Sequence, residues 1–222
     1  GLVNIDQTSL KVYLDESQFY FADTLWTLKD SSYFSYLNGE INSQASISTT
    51  SQDVSFSCIS NDIIDTINLV LNHFEMANIS PWLSKVNSSV KGSVNGDVII
   101  VSDSLNNKFY SEIITSNLEL NDANFGALNL SFNYDDTQDI QLIQGHSLKD
   151  DKKALEFSGN YNSLVDSNNM QIFIDVNDFN LNHINTYLPF LDPLNGLFTG
   201  YLNFYGNINE PKFEGEFIAE EV

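Results

Sequence analysis

The sequence predicts an all-β fold, and three observations carry the prediction. Apolar and polar residues alternate through most of the chain, as in strands with one covered and one wet face. Two long stretches are versions of each other about 104 residues apart, which points to an extended array whose units cover one another's apolar faces. Asn- and Asp-rich turn signals divide the alternating runs.

The first clear strand is Leu10, Val12, Leu14, and the next is Val54, Phe56, Cys58. The run Ile63, Ile64, Ile67, Val70, Leu71, Phe74 fits a helical face, while Ile67, Leu69, Leu71 fit a strand. The repeat decides, because those three align at an offset of 105 with Ile172, Ile174 and Val176, a plain β-branched alternation. Residues 65–74 are therefore expected as a strand. Ile79, Trp82, Leu83 and Val86 then switch to i, i+3, i+4, i+7 spacing, one face of a short amphipathic helix. Asn78 or Ser80 would cap it, with Pro81 at an early helical position.

A glycine-studded strand follows, Gly92, Val94, Gly96, Val98. Glycine on an apolar face suggests tight curvature or the close approach of another segment. Asn95-Gly96, Asn106-Asn107, Asn168-Asn169 and the stretch Asp135, Asp136, Asp139 read as turn signals. Further strands are expected at Leu118, Leu120, then Leu128–Tyr134, Leu155–Tyr161 and Met170–Val176. The second copy of the helix is Ile184, Tyr187, Leu188, Leu191, ended by Pro189 or Pro193. Gly196, Phe198, Gly200, Leu202 repeat the glycine-studded strand, and Phe213 answers Phe109. Residues 1–50 read as the end of a preceding unit, 51–150 as one unit, and 151–222 as the start of the next, truncated one. Both ends look like cuts through a longer protein.

Composition narrows the function. Thirty acids face nine lysines, with no arginine, for a formal charge of −21. Such a surface repels phosphate backbones, so no nucleic-acid partner is expected, and it disfavours docking on anionic headgroups. With 42% hydrophobic residues, including 16 Phe and 10 Tyr, the chain is not disordered. The longest central apolar run is Val98–Val101, far short of a membrane span. Cys58 has no partner cysteine and reads as a small apolar residue.

The residues 179–191, Phe-Asn-Leu-Asn-His-Ile-Asn-Thr-Tyr-Leu-Pro-Phe-Leu, lead into Leu194, Gly196, Gly200, Gly206, Pro211 and Gly215. This string resembles the repeats of the TamB and AsmA-like family: a leucine-proline-leucine helix, L-x-G-x-x-x-G into a strand, G-x-x-x-x-P, then a further glycine. Residues 51–102 carry a weaker copy, with Ser102 where Gly206 stands. Ile5-Asp6, Phe21-Ala22-Asp23, Trp26 and Ser51-Gln52-Asp53-Val54 are similar to the Bacteroidetes type. The resemblance implies an internal or C-terminal-half fragment of such a protein. It implies an elongated, mostly antiparallel sheet curled lengthwise into an apolar trough (β-taco-like repeats) with one short amphipathic helix per repeat.

The resemblance further implies a periplasmic protein anchored to the inner membrane by a segment outside this chain. Such proteins are associated with carrying phospholipid toward the outer membrane and with translocation and assembly of outer-membrane proteins through an Omp85-type barrel partner. The partners expected here are phospholipid acyl chains and, through the full-length protein, that barrel. Twenty residues are expected to line the trough: Val54, Phe56, Ile67, Leu69, Leu71, Val94, Val98, Ile100, Leu128, Leu130, Phe132, Leu155, Phe157, Ile172, Ile174, Phe198, Leu202, Phe204, Phe213 and Phe217. If a repeat holds about eight strands ~4.8 Å apart, it advances the sheet by roughly 40 Å.

No catalytic or cofactor-binding residue, and no metal ligand set, is expected. His73, His146 and His183 lack a second ligand or base at suitable spacing. Asp135, Asp136, Asp139 and Lys149–Lys153 read as solvated loops, not as a calcium loop. Trp26 and Trp82 would serve as a sugar platform only if both were exposed. The alternative from another class is an extracellular β-repeat adhesin or carbohydrate-binding module with a closed core. A weaker one is a polysaccharide-active enzyme with two acids converging in a cleft.

Overall fold

In the computed structural model the described residues are 1–6, 8–83, 89–121, 123–137, 139–149, 152–180 and 196–220. They form sixteen strands: β1 (Leu2–Asp6), β2 (Ser9–Tyr13), β3 (Ser17–Phe21), β4 (Thr24–Leu28), β5 (Tyr33–Leu37), β6 (Glu40–Ser48), β7 (Asp53–Ser60), β8 (Ile64–Glu75), β9 (Val90–Asp103), β10 (Asn107–Leu120), β11 (Ala123–Asp135), β12 (Ile140–Lys149), β13 (Lys152–Asn162), β14 (Met170–Asn180), β15 (Leu197–Asn207) and β16 (Glu210–Glu220). All belong to one antiparallel sheet that does not close on itself. From β5 to β16 it is a meander in which each strand pairs with the next. The β3–β4 hairpin leaves this path and joins β6 through Thr27 and Leu28, beside the β5 pairing.

Strand identity follows the period-two pattern, and β8 confirms the reading of residues 65–74. The repeat is visible as structure, since β8, β9 and β10 correspond to β14, β15 and β16. One period is therefore the six strands β8–β13, not eight, and advances the sheet by roughly 29 Å at ~4.8 Å per strand. The difference lies in strand length, because β9 and β10 each use 14 residues.

Two local expectations fail. Asn95-Gly96 is not a turn: it lies inside β9, where Gly96 pairs with Leu71 and Ile113. A Cβ at Gly96 would collide with the backbone carbonyl of Glu112, and Gly200 stands against the carbonyl of Glu216 in the same way. Close strand approach, one of the two reasons expected for these glycines, is what they serve. An Asn-Gly pair does form a turn at Asn38-Gly39, with φ of 53° and 97°, joining β5 to β6.

The first helix copy is a 3-10 turn at Met76–Ile79 running into α1 (Ser80–Leu83). Neither expected residue caps it. The amide of Asn78 instead donates to Gln52 Oε1 at 2.8 Å, and the hydroxyl of Ser80 donates to the Val90 carbonyl at 3.0 Å. Both side chains are used to tie the turn to the sheet. Val86, the second helix copy (184–191) and His183 lie outside the described residues.

The sheet has two unlike rims. At one rim, β-bulges fall in five of the seven strand pairs from β8 to β15. Bulges sharpen local twist, and here ring contacts reach across intervening strands. Trp26 meets Phe74 at 6.2 Å, and Phe125 of β11 meets Phe179 of β14 at 6.4 Å. A flat sheet would separate β11 from β14 by three steps, ~14 Å. The buried residues Trp26, Gln52, Asn78, Val90, Leu118 and Ser147 gather at this coiled rim. At the other rim are the turns at 61–63, 104–106, 163–169 and 208–209, and the one that opens at Asp136.

Candidate functional site: one continuous sheet face

Residues directly opposite each other in an antiparallel pair project to the same side. Register therefore carries one face across the sheet. From Ile47 the partners run Val54, Leu71, Gly96, Ile113, Leu130, Gly145, Phe157, Ile174, Leu202 and Gly215. This row crosses eleven strands, roughly 48 Å, without a polar side chain. The row toward the turns contains Phe56, Leu69, Val98, Phe132, Ile172, Phe204 and Phe213, with Ser111 as its hydroxyl. Ile67 and Ile100 lie one row further, with Tyr134, Gln141 and Tyr161. Toward the coiled rim come Val94, Leu128, Leu155, Phe217 and, beyond them, Phe198.

Register thus places all twenty expected residues on one face. Of these, Val94 is buried at 4% exposure, Phe56, Ile100, Phe213 and Phe217 are exposed, and the others are half-buried. Among the described residues only Trp26, Val90, Val94 and Leu118 are buried apolar side chains. A sandwich with a closed core would bury most of this face, so the adhesin alternative is not favoured. The face remains partly open.

Glycines shape its relief. Phe157 lies across Gly145, where a Cβ would stand 2.6 Å from its Cζ, and Ile172 and Ile143 flank Gly159 at 3.1 and 3.3 Å. Large side chains therefore fill the space over Gly145 and Gly159. Aromatic pairs Phe109–Phe132, Phe198–Phe217 and Phe204–Phe213 pave it further.

Sequence alternation missed Ile113 and Ile143. Each sits in an apolar doublet, Ile113-Ile114 and Leu142-Ile143, where alternation cannot choose a side. Cross-strand pairing chooses: Ile113 faces Gly96 and Leu130, and Ile143 faces Phe132 and Gly159.

The opposite face is mostly polar. A shallow cavity of about 730 Å³ opens there, with Glu112, Asn129, Gln144, His146 and Asp175 in its lining. His146 Nε2 is 2.9 Å from Asn129 Nδ2. His73 takes a left-handed conformation at a bulge, φ 50°, as does its repeat counterpart Asp178, also φ 50°. Their amides donate to Asn95 Oδ1 at 2.9 Å and Thr199 Oγ1 at 3.0 Å, which are again counterparts. The shared feature of this repeat position is a bulge, served equally by a histidine and an aspartate. Trp26 is fully buried and offers no sugar platform. Among the described residues no group of three His, Cys, Asp or Glu side chains is placed to hold a metal.

At the turn rim, Asp135 accepts hydrogen bonds from Thr137 and pairs with Lys108 at 3.0 Å. The Thr137 hydroxyl and Lys108 hold its pKa below the ordinary carboxylate value. The Leu105 and Asn106 amides do the same for Asp103. Desolvation pushes the Tyr134 phenol upward, helped by Asp139 and Asp136.

No described helix is long and apolar enough to cross a membrane. No curated protein and no solved structure matches the chain. The family model described as "TamB, N-terminal domain" matches residues 14–218. It carries no assignment to a Bacteroidetes type and none to a C-terminal half. A match over nearly the whole chain, on a long open antiparallel sheet, shows that this chain belongs to the TamB N-terminal domain family.

Proposed function

We propose that the chain is a non-enzymatic, lipid-conducting segment of a TamB-like protein that crosses the periplasm from an inner-membrane anchor. Its apolar face is the inside of an open trough, and phospholipid acyl chains travel along it toward the outer membrane. The observation that carries this reading is the apolar row unbroken across eleven strands. Removing acyl chains from water is the main barrier to moving a lipid, and a continuous apolar strip lowers it at every step. The full-length protein would also support outer-membrane protein translocation and assembly with an Omp85-type barrel, and one short helix per repeat would edge the sheet.

The test is crosslinking in cells. A photoreactive amino acid replaces Ile172 or Phe198 in the full-length protein, and lipid adducts are expected at both. Replacement at Gln171 or Asp175, on the opposite face, is expected to yield none. Normal protein levels with no lipid adduct at several apolar-face positions would sink the conduit.

A further inference from the structure

The polar side of the sheet is not flat. Its cavity of about 730 Å³ adjoins a second of about 400 Å³, and Gln144, Ser158 and Phe173 line both. Volumes of this order suit small-molecule sites. Register explains the shape. Gln144 on β12, Ser158 on β13 and Phe173 on β14 lie directly opposite one another in turn. Two strand steps, roughly 9.6 Å, therefore separate a glutamine from a phenyl ring, with only a serine between them.

The hydrogen-bonding groups around this gap are mostly neutral amides: Asn129, Asn133, Gln144, Asn160 and Gln171. A side-chain amide offers donors and an acceptor together, as a polyhydroxylated ligand requires. Asp175, exposed on the same strand as Phe173, adds a carboxylate acceptor. Among the described residues no lysine lines either cavity, and the sequence has no arginine. Lys153 of β13 is committed to Glu156 at 2.7 Å. A phosphate or carboxylate ligand thus finds no ammonium or guanidinium partner here. One wall is flat and apolar. Phe173 stacks on Tyr201 at 6.0 Å, the rings 19° from parallel and each 40% exposed. Tyr201 lines neither cavity, so it backs Phe173 and leaves the other ring face to the groove.

We propose that this groove binds a neutral oligosaccharide, independently of any lipid on the apolar face. One pyranose ring sits over Ser158 with its C–H face on Phe173, since polarised C–H groups meet the negative face of an aromatic ring favourably. Its hydroxyls bond to the amides of Gln144, Asn160 and Gln171 and to the Asp175 carboxylate. The sheet stays single-layered and open, and its two sides take ligands of opposite polarity. Small Ser158 is essential to the shape, because a large side chain there would close the gap between Gln144 and Phe173.

Calorimetry of the full-length protein with chitotetraose and with cellotetraose tests the groove, the two sugars differing in their acetamido groups. Saturable binding of at least one is expected. Phe173→Ala should weaken it about tenfold, the loss of one flat apolar contact, and Phe173→Tyr should retain it. Gln144→Ala with Asn160→Ala, both exposed, should weaken it by about the same factor through lost hydrogen bonds. Lipid crosslinking from Ile172 should be unchanged in each variant, because that residue faces the other side. No saturable binding of either sugar overturns the glycan site and leaves the conduit standing. So does binding that both Phe173→Ala and the double variant leave intact. Binding of tetralysine without either sugar would make the groove an acidic peptide surface and equally overturn the proposal.

Discussion

The coiled rim and the turn rim are made from the same strands, and the contrast between them shows how one sheet divides stability from exposure. At the coiled rim the bulges let Phe125 and Phe179 meet over two intervening strands, and Gln52 accepts from both Asn78 and the Glu75 amide. Among the described residues the ring pairs toward the turn rim, Phe109–Phe132 and Phe204–Phe213, join only adjacent strands. The turns there are held by Asx-type hydrogen bonds such as those of Asn61 and Asp103. A long one-layer sheet has no partner sheet to cover it. Concentrating burial at one rim leaves the middle of the apolar face available.

The largest effect that would break this contrast is at Trp26, which is fully buried against Phe74. Trp26→Ala should cost about 3–5 kcal/mol in chemical denaturation, as for large-to-small changes in a packed site. Hydrogen exchange should locate the loss in β4, β7 and β8, and unaltered exchange there would show that the coiled rim is not the stabilising one. Next come the close approaches. Gly96→Ala and Gly200→Ala force a Cβ against backbone carbonyls and should each cost about 1–3 kcal/mol. Gly159→Ala, whose nearest neighbours stand 3.1–3.3 Å away, should cost less than either. Equal thermal shifts for all three would remove close approach as the reason for those glycines.

Smaller effects sharpen the comparison. His73→Gly should stabilise by about 0.5–1 kcal/mol, because the left-handed conformation at φ 50° costs a histidine more than a glycine. Destabilisation would mean the imidazole contributes a contact beyond its bulge. Smallest is the pH response of Asp135. Its folded pKa lies below the ordinary value, so its contribution is present above the unfolded pKa and fades as pH falls through the folded one. Melting curves below pH 4 should show this loss in the native protein and less of it in Lys108→Ala. The group is partly exposed, so salt should weaken the effect.

Much of the face is legible in the sequence. Alternation marks its members because one side of each strand is apolar, and the internal repeat resolves β8 by comparison with β14. Alternation fails at the doublets Ile113-Ile114 and Leu142-Ile143, where only the neighbouring strand selects a side. Turn chemistry misleads at Asn95-Gly96, since a glycine required by a passing carbonyl and one required by a turn look alike in sequence. The helix caps mislead because Asn78 and Ser80 bond to residues distant in the chain, Gln52 and Val90.

Local pattern alone determined that this chain is β, which residues share a face, and that its charge is strongly negative, because side-chain period and composition are properties of the chain itself. Only the tertiary structure decided that a repeat is six strands and that its bulges align at one rim. Those properties depend on register, and register is set by how strands meet. The same His73 and Asp178 that share no chemistry share a backbone geometry for that reason.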